Sequence, residues 1–102
     1  MIIATVGTTP TPIVSENTNI STGLKSSIYL ANNSGVTVYV QFDGSPQSQL
    51  TVATGYPIPT GTGLAIIPGV GGVEGSYPVY GIVAAGTAIV TAQVFNYRKS
   101  LP

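Results

Sequence analysis

From residue 27 to 45 the chain runs SIYLANNSGVTVYVQFDGS, and apolar side chains recur at every second position. Ile28 and Leu30, then Val36, Val38, Val40 and Phe42, fall on one side of an extended chain. Tyr29, Ala31, Thr37, Tyr39 and Gln41 fall on the other. A period of two specifies strands. No segment carries a 3.6-residue apolar stripe, and 13 Gly and 8 Pro punctuate the whole length together with Thr and Ser. These residues break helices or favour strands and turns.

The pattern predicts an all-β chain: a single small sandwich or jelly-roll-like barrel over residues 13–102, preceded by an extended N-terminal arm at 1–12. An extended segment including Ile13 and Val14 precedes the polar loop SENTNISTG. Strands are expected at about 26–32, 36–43, 49–53 and 63–67, then, after the glycine-rich PGVGGVEGSYP, a closing hairpin at about 79–84 and 88–96. Pro10 and Pro12 cannot donate ladder hydrogen bonds, which confines them to edges or arms. A three-residue loop, Asn33-Ser34-Gly35, is expected to fold 27–42 into a hairpin with Gly35 left-handed. That register sets Leu30 opposite Val38, Tyr29 opposite Tyr39 and Lys25 opposite Asp43.

Within residues 27–45 no charge precedes Asp43. A solvated strand face ordinarily carries Lys and Glu, which keep it wet and repel other strands. The final pair repeats the anomaly: Val79, Val83, Val90, Ala92 and Val94 form one face, with Gly81 leaving room among them, and Tyr80, Ile82, Ala84, Ile89, Thr91, Gln93 and Phe95 form a neutral other face. Strands covered on both sides have this composition. Of 102 residues only 6% are charged, against about 25% in typical domains. Near-zero net charge favours association. The expectation is that another subunit covers the second side.

The same scarcity excludes several functions. There is no basic patch to neutralise a phosphate backbone, so nucleic acid is not an expected partner. The chain has no His and no Cys, hence no usual general base and no thiolate or imidazole metal site. Asp43 with Glu74 or Glu16 is the only carboxylate pairing open to a glycosidase-type mechanism. Asp43-Gly44 has a simpler reading as a turn. PTGTGLAII has Ile66 where a dinucleotide fingerprint needs its third glycine, and PGVGGVEG lacks the Lys of a phosphate loop. Neither an enzyme nor a cofactor is expected. Residues 79–95 are uncharged but too short for a spanning helix and interrupted by Gly86-Thr87, Thr91 and Gln93. No signal peptide is expected at MIIATVGTTP, so the glycosylation patterns at Asn19 and Asn32 are read as coincidental.

Six tyrosines remain. Tyr29 and Tyr39 offer either a sugar-stacking platform or anchors in a protein interface, where Tyr is enriched. Arg98 and Lys99 place two basic groups near the C-terminus, able to meet an acidic partner or simply to be solvated.

Three segments together resemble small virion proteins of tailed bacteriophages. They are LKSSIYLANNSGVTVYVQFDG, the Gly-x-Pro-apolar-Pro-x-Gly element GYPIPTG at 55–61, and VYGIVAAGTAIVTAQVF. The similarity runs through residues 22–96 in order, with Lys25 where such proteins often carry Arg and Gln41 where a Gly often follows the VYV strand. The resemblance implies a β-rich structural protein of the virion, placed on the capsid surface as a decoration or cement subunit. Its partners are then copies of itself, by analogy a trimer, and the major capsid protein. Contact candidates on this reading are Tyr29, Tyr39, Gln41, Phe95, Tyr97 and Arg98. A host-attachment or tail-associated module that binds surface glycan through tyrosines is the alternative.

Overall fold

The computed structural model describes residues 1–14, 25–67 and 78–97. It holds eight strands: β1 (Ile2–Val6), β2 (Thr11–Val14), β3 (Lys25–Asn32), β4 (Val38–Gln41), β5 (Tyr56–Ile58), β6 (Gly63–Ile66), β7 (Val79–Ile82) and β8 (Ala88–Tyr97). They form two four-stranded sheets, a first in the order β1-β8-β3-β6 and a second in the order β2-β7-β4-β5. All ladders are antiparallel. Eight strands divided this way between two packed sheets make a jelly-roll-like sandwich.

Period-two alternation places the core. Ala4 and Val6 of β1, Ile28 and Leu30 of β3, Ile66 of β6 and Val90 and Ala92 of β8 point inward from the first sheet. Ile13, Val38, Val40, Ile58 and Val79 meet them from the second. Gly81 is the close approach in this interior: a β-carbon there would lie 2.7 Å from Ile13 Cδ1 and 3.3 Å from Val6 Cγ2.

The expected arm is instead a strand. Pro10 and Pro12 do keep to an edge, since β2 is the outermost strand of the second sheet. Residues 2–6, however, pair with β8 in unbroken register from Ile2↔Ala92 to Val6↔Ala88, and Val6 is fully buried. The alternation in IIATV supplies two core residues, and burying them outweighs leaving the segment extended in solvent.

Neither expected hairpin forms. β3 lies in the first sheet and β4 in the second; β7 and β8 are divided likewise. Every described connection except β4–β5 crosses from one sheet to the other. The cause at β3–β4 is Asn32, whose side chain is fully buried. Its Nδ2 donates to the carbonyls of Val36 at 2.8 Å and Ile58 at 2.9 Å. Its Oδ1 accepts from the Ser34 backbone N–H at 3.1 Å and the Ser34 hydroxyl at 2.6 Å. These bonds stand in for ladder bonds and turn the chain out of the first sheet onto β5 of the second. Gly35 is not left-handed; positive φ occurs at Gly44, Gly61 and Gly86. Lys25 pairs in register with Tyr97, and Asp43 belongs to the loop after β4.

The strand expected at 49–53 is also absent. Pro46 opens a single 3-10 turn, Gln47–Gln49, and Thr51 and Thr54 then bond to one another's backbone and side chains. Such local bonding competes with a sheet ladder.

Candidate functional site

The two sheets differ on their outer sides. On the first, register brings together one row of Gln93, Tyr29 and Ala65, and another of Ile3, Thr91, Ala31 and Gly63, with Ser27 opposite Phe95 and Thr5 opposite Ile89. None of these side chains is charged. Ile3 is 64% exposed, Phe95 55%, Ile89 50% and Tyr29 45%. Tyr29 and Phe95 meet edge to face, with ring centroids 5.6 Å apart at 80°, around a shallow depression completed by Ser27. The ring pair is worth about 0.5–1.5 kcal/mol beyond its burial. It still leaves about half of each residue exposed.

On the second sheet the loop between β4 and β5 lies over the outer side. Gln41 donates to the carbonyls of Ser45 and Pro46 and draws the loop back over the strand. Gln47 then donates to the Pro10 carbonyl, 2.8 Å away, beside the start of β2, which β7 separates from β4. Leu50 returns beneath the loop and is only 2% exposed, yet it stands apart from the main core. A β-carbon on Gly55 would lie 2.6 Å from Tyr39 Cβ and 3.0 Å from Leu50 Cδ1, so the three pack together. Ile82, opposite Tyr39 in register, is buried with them. A satellite cluster under a long loop is a common way to cover a sheet.

Several expectations are corrected here. Tyr29 and Tyr39 sit on different sheets and face opposite sides of the sandwich, so the two-tyrosine platform does not exist. The chain itself covers Tyr39, and Gln41 is a brace for the covering loop. Phe95 does join Tyr29. Tyr97 ends β8, with its side chain outside the described residues, and Arg98 lies outside them altogether. Ile3 and Ile89 belong to the exposed face and were not among the contact candidates. Ile3 was hidden by assigning residues 1–12 to an arm, although the alternation in IIATV already signals a strand.

At the open end of the second sheet, Phe42 and Tyr56 meet edge to face at 6.2 Å and border a groove of about 300 Å³ that also receives Gln41 and Asp43. The backbone N–H of Ser45 bonds Asp43 Oδ1 at 3.0 Å, and this with the Ser45 side chain holds the carboxyl below its ordinary range. A carboxyl so held stays ionised and is unsuited to general-acid work near neutrality. Glu16 and Glu74 lie outside the described residues. Among the described residues there is no group of three His, Cys, Asp or Glu able to hold a metal, and no helix long and apolar enough to cross a membrane. The Asn32 amide is enclosed and fully bonded, so this glycosylation pattern is inaccessible in the folded chain.

No family model, no curated protein and no solved structure matches this chain.

Proposed function

We propose that this protein is a structural assembly subunit, a decoration or cement protein of a bacteriophage head, and that the bare outer face of its first sheet docks on neighbouring shell subunits. The exposure of Ile3, Ile89, Tyr29 and Phe95, all uncharged and on one face, carries the reading. Monomeric proteins rarely leave a contiguous apolar patch larger than a few hundred Å² open to water. Strands of five, ten, eight and four residues, ~4.8 Å apart and rising ~3.4 Å per residue, give a face of roughly 440 Å² in plan. That is about half of the ~800 Å² per partner of a standard interface before side-chain relief is added.

The mechanism is passive. Docking removes apolar surface from water at about 25 cal/mol per Å², and Ile3, Ile89, Tyr29 and Phe95 bring no charge to desolvate. The phage assignment rests on the resemblance of residues 22–96. A jelly-roll-like sandwich suits it, though that fold also serves lectins and other functions, so fold alone does not choose. The deciding experiment is an electron-microscopy map of the native particle. The reading expects this subunit on the head with β8 and β3 turned toward the shell. A particle without it, or with that face turned to solvent, overturns the assignment.

A further inference from the structure

The four sheet edges are protected unequally. β2 carries Pro12 and an irregular register between Pro12 and Val14. β5 has only three residues, with Pro57 at its centre. β6 has four and begins at Gly63. Proline, bulges and brevity are the usual devices that stop an edge from recruiting another strand. β1, Ile2–Val6, has none of them: five residues, IIATV, without proline, charge or bulge. Among the described residues no strand pairs with its outer side. In an antiparallel ladder every second residue of an edge strand turns its N–H and C=O away from its neighbour. β1 is therefore an open template.

We propose that β1 pairs antiparallel with β1 of a second copy of this chain, joining two first sheets into one eight-stranded sheet. The proposal deepens the assembly reading, on which it rests for its purpose, by giving self-association a location. The strand's own sequence argues for a copy of itself. With the two-fold axis through Ala4, Ile2 lies opposite Val6 of the second copy, and Ile3 opposite Thr5. Even-numbered core residues then meet core residues, and odd-numbered residues meet the bare face. A one-residue slip would set Ile3 beside Val6 and mix the two sides. Because IIATV is uncharged, self-apposition brings no like charges together. The axis stands normal to the sheet, so both bare faces point the same way and remain free to dock.

The test uses the full chain in sedimentation over a wide concentration range, with hydrogen exchange read at the amides of residues 2–6. The wild type should reach twice its 10.4 kDa mass as concentration rises, with slower exchange in this strand. The double variant Ile3→Lys, Thr5→Lys sets lysine against lysine in both cross-strand pairs and should weaken pairing about tenfold or more with unchanged circular dichroism. Ile3→Lys with Thr5→Glu sets opposite charges against each other in the same register and should restore it. A wild type that stays at single-chain mass overturns the proposal, as does a double-lysine variant that still pairs or a Lys/Glu variant that does not. Should the double-lysine variant unfold, concentration-independent exchange at residues 2–6 of the wild type would be equally decisive. None of these outcomes depends on the particle, so the edge and the docking face fail separately.

Discussion

The outer sides of the two sheets start from similar sequence and end differently. Tyr39, Ile82 and Tyr80 on the second sheet are as neutral as Tyr29, Ile89 and Phe95 on the first. The second is closed by the chain itself, because the β4–β5 connection is the one described link that stays within a sheet and is long enough to fold back over it. Gln47 pins that loop at Pro10, and Leu50 fills the space beneath. On the first sheet Ile3 and Phe95 remain more than half exposed. A neutral strand face thus signals that something covers it, without saying whether the cover is internal or external. Loop length and connectivity decide.

The comparison depends on the chain leaving the first sheet at Asn32, so the largest effect is expected there. Asn32→Ala leaves the buried carbonyl of Ile58 and the part-buried carbonyl of Val36 and N–H of Ser34 without their side-chain partner, and empties the space the amide fills. Each unsatisfied buried group costs ~1–3 kcal/mol, and a loss of about 4 kcal/mol is expected in denaturant unfolding. A loss under ~1 kcal/mol would mean that the crossing does not need its side-chain bonds. Leu50→Ala comes next, at about 2–3 kcal/mol. That is the low end for a buried leucine, because a loop can settle into the cavity more readily than a strand can. If Leu50→Ala is neutral, the second sheet is not covered in the sense argued here.

The same substitution made on both faces sharpens the contrast. Tyr39→Lys puts an ammonium beside Leu50 and Ile82 and should cost about 1–2 kcal/mol more than Tyr29→Lys, whose side chain already meets water. Tyr29→Lys should instead reduce docking on the particle while the fold persists. Equal stability losses from the two variants would erase the distinction between the faces.

Much of this was legible in the sequence, and the failures share one cause. Alternation correctly located β3, β4, β6, β7 and β8, and the core sides of all of these but β6, because burial enforces a period of two on each strand separately. It could not tell which sheet a strand joins, since Val38 meets a core whether it lies beside Leu30 or across from it. Choosing a hairpin at Asn33-Ser34-Gly35 assumed an in-plane turn, whereas the buried amide of Asn32 makes a crossing. That single choice set Tyr39 and Gln41 on the same face as Tyr29, whereas they belong to the other sheet. Treating Pro10 and Pro12 as ending an arm similarly concealed Ile3. The alternation in IIATV signals a strand, but only its partner far along the chain, β8, shows where it pairs.

The smallest expected effect tests how the covering loop begins. Asp43 and Gly44, with φ of 84° at the glycine, make the turn that sends the chain back over β4. The Ser45 N–H bonded to the Asp43 carboxylate favours its ionised form and lowers its pKa from the ordinary 3.8. A carboxylate depressed on folding contributes stability that is fully present above its unfolded pKa and is lost as pH falls through the folded one. Stability should therefore decline only below about pH 4, where the unfolded chain begins to bind this proton first. Asp43 is exposed, and solvent screening limits the contribution to about 0.5 kcal/mol or less. Asp43→Asn keeps an acceptor for the Ser45 N–H but removes the charge, so it should flatten this part of the pH profile and leave neutral stability nearly unchanged. If the variant loses stability at neutral pH on the scale expected for Leu50→Ala, the turn would be holding the cover in place by charge, and the packing of Leu50 would be secondary to it.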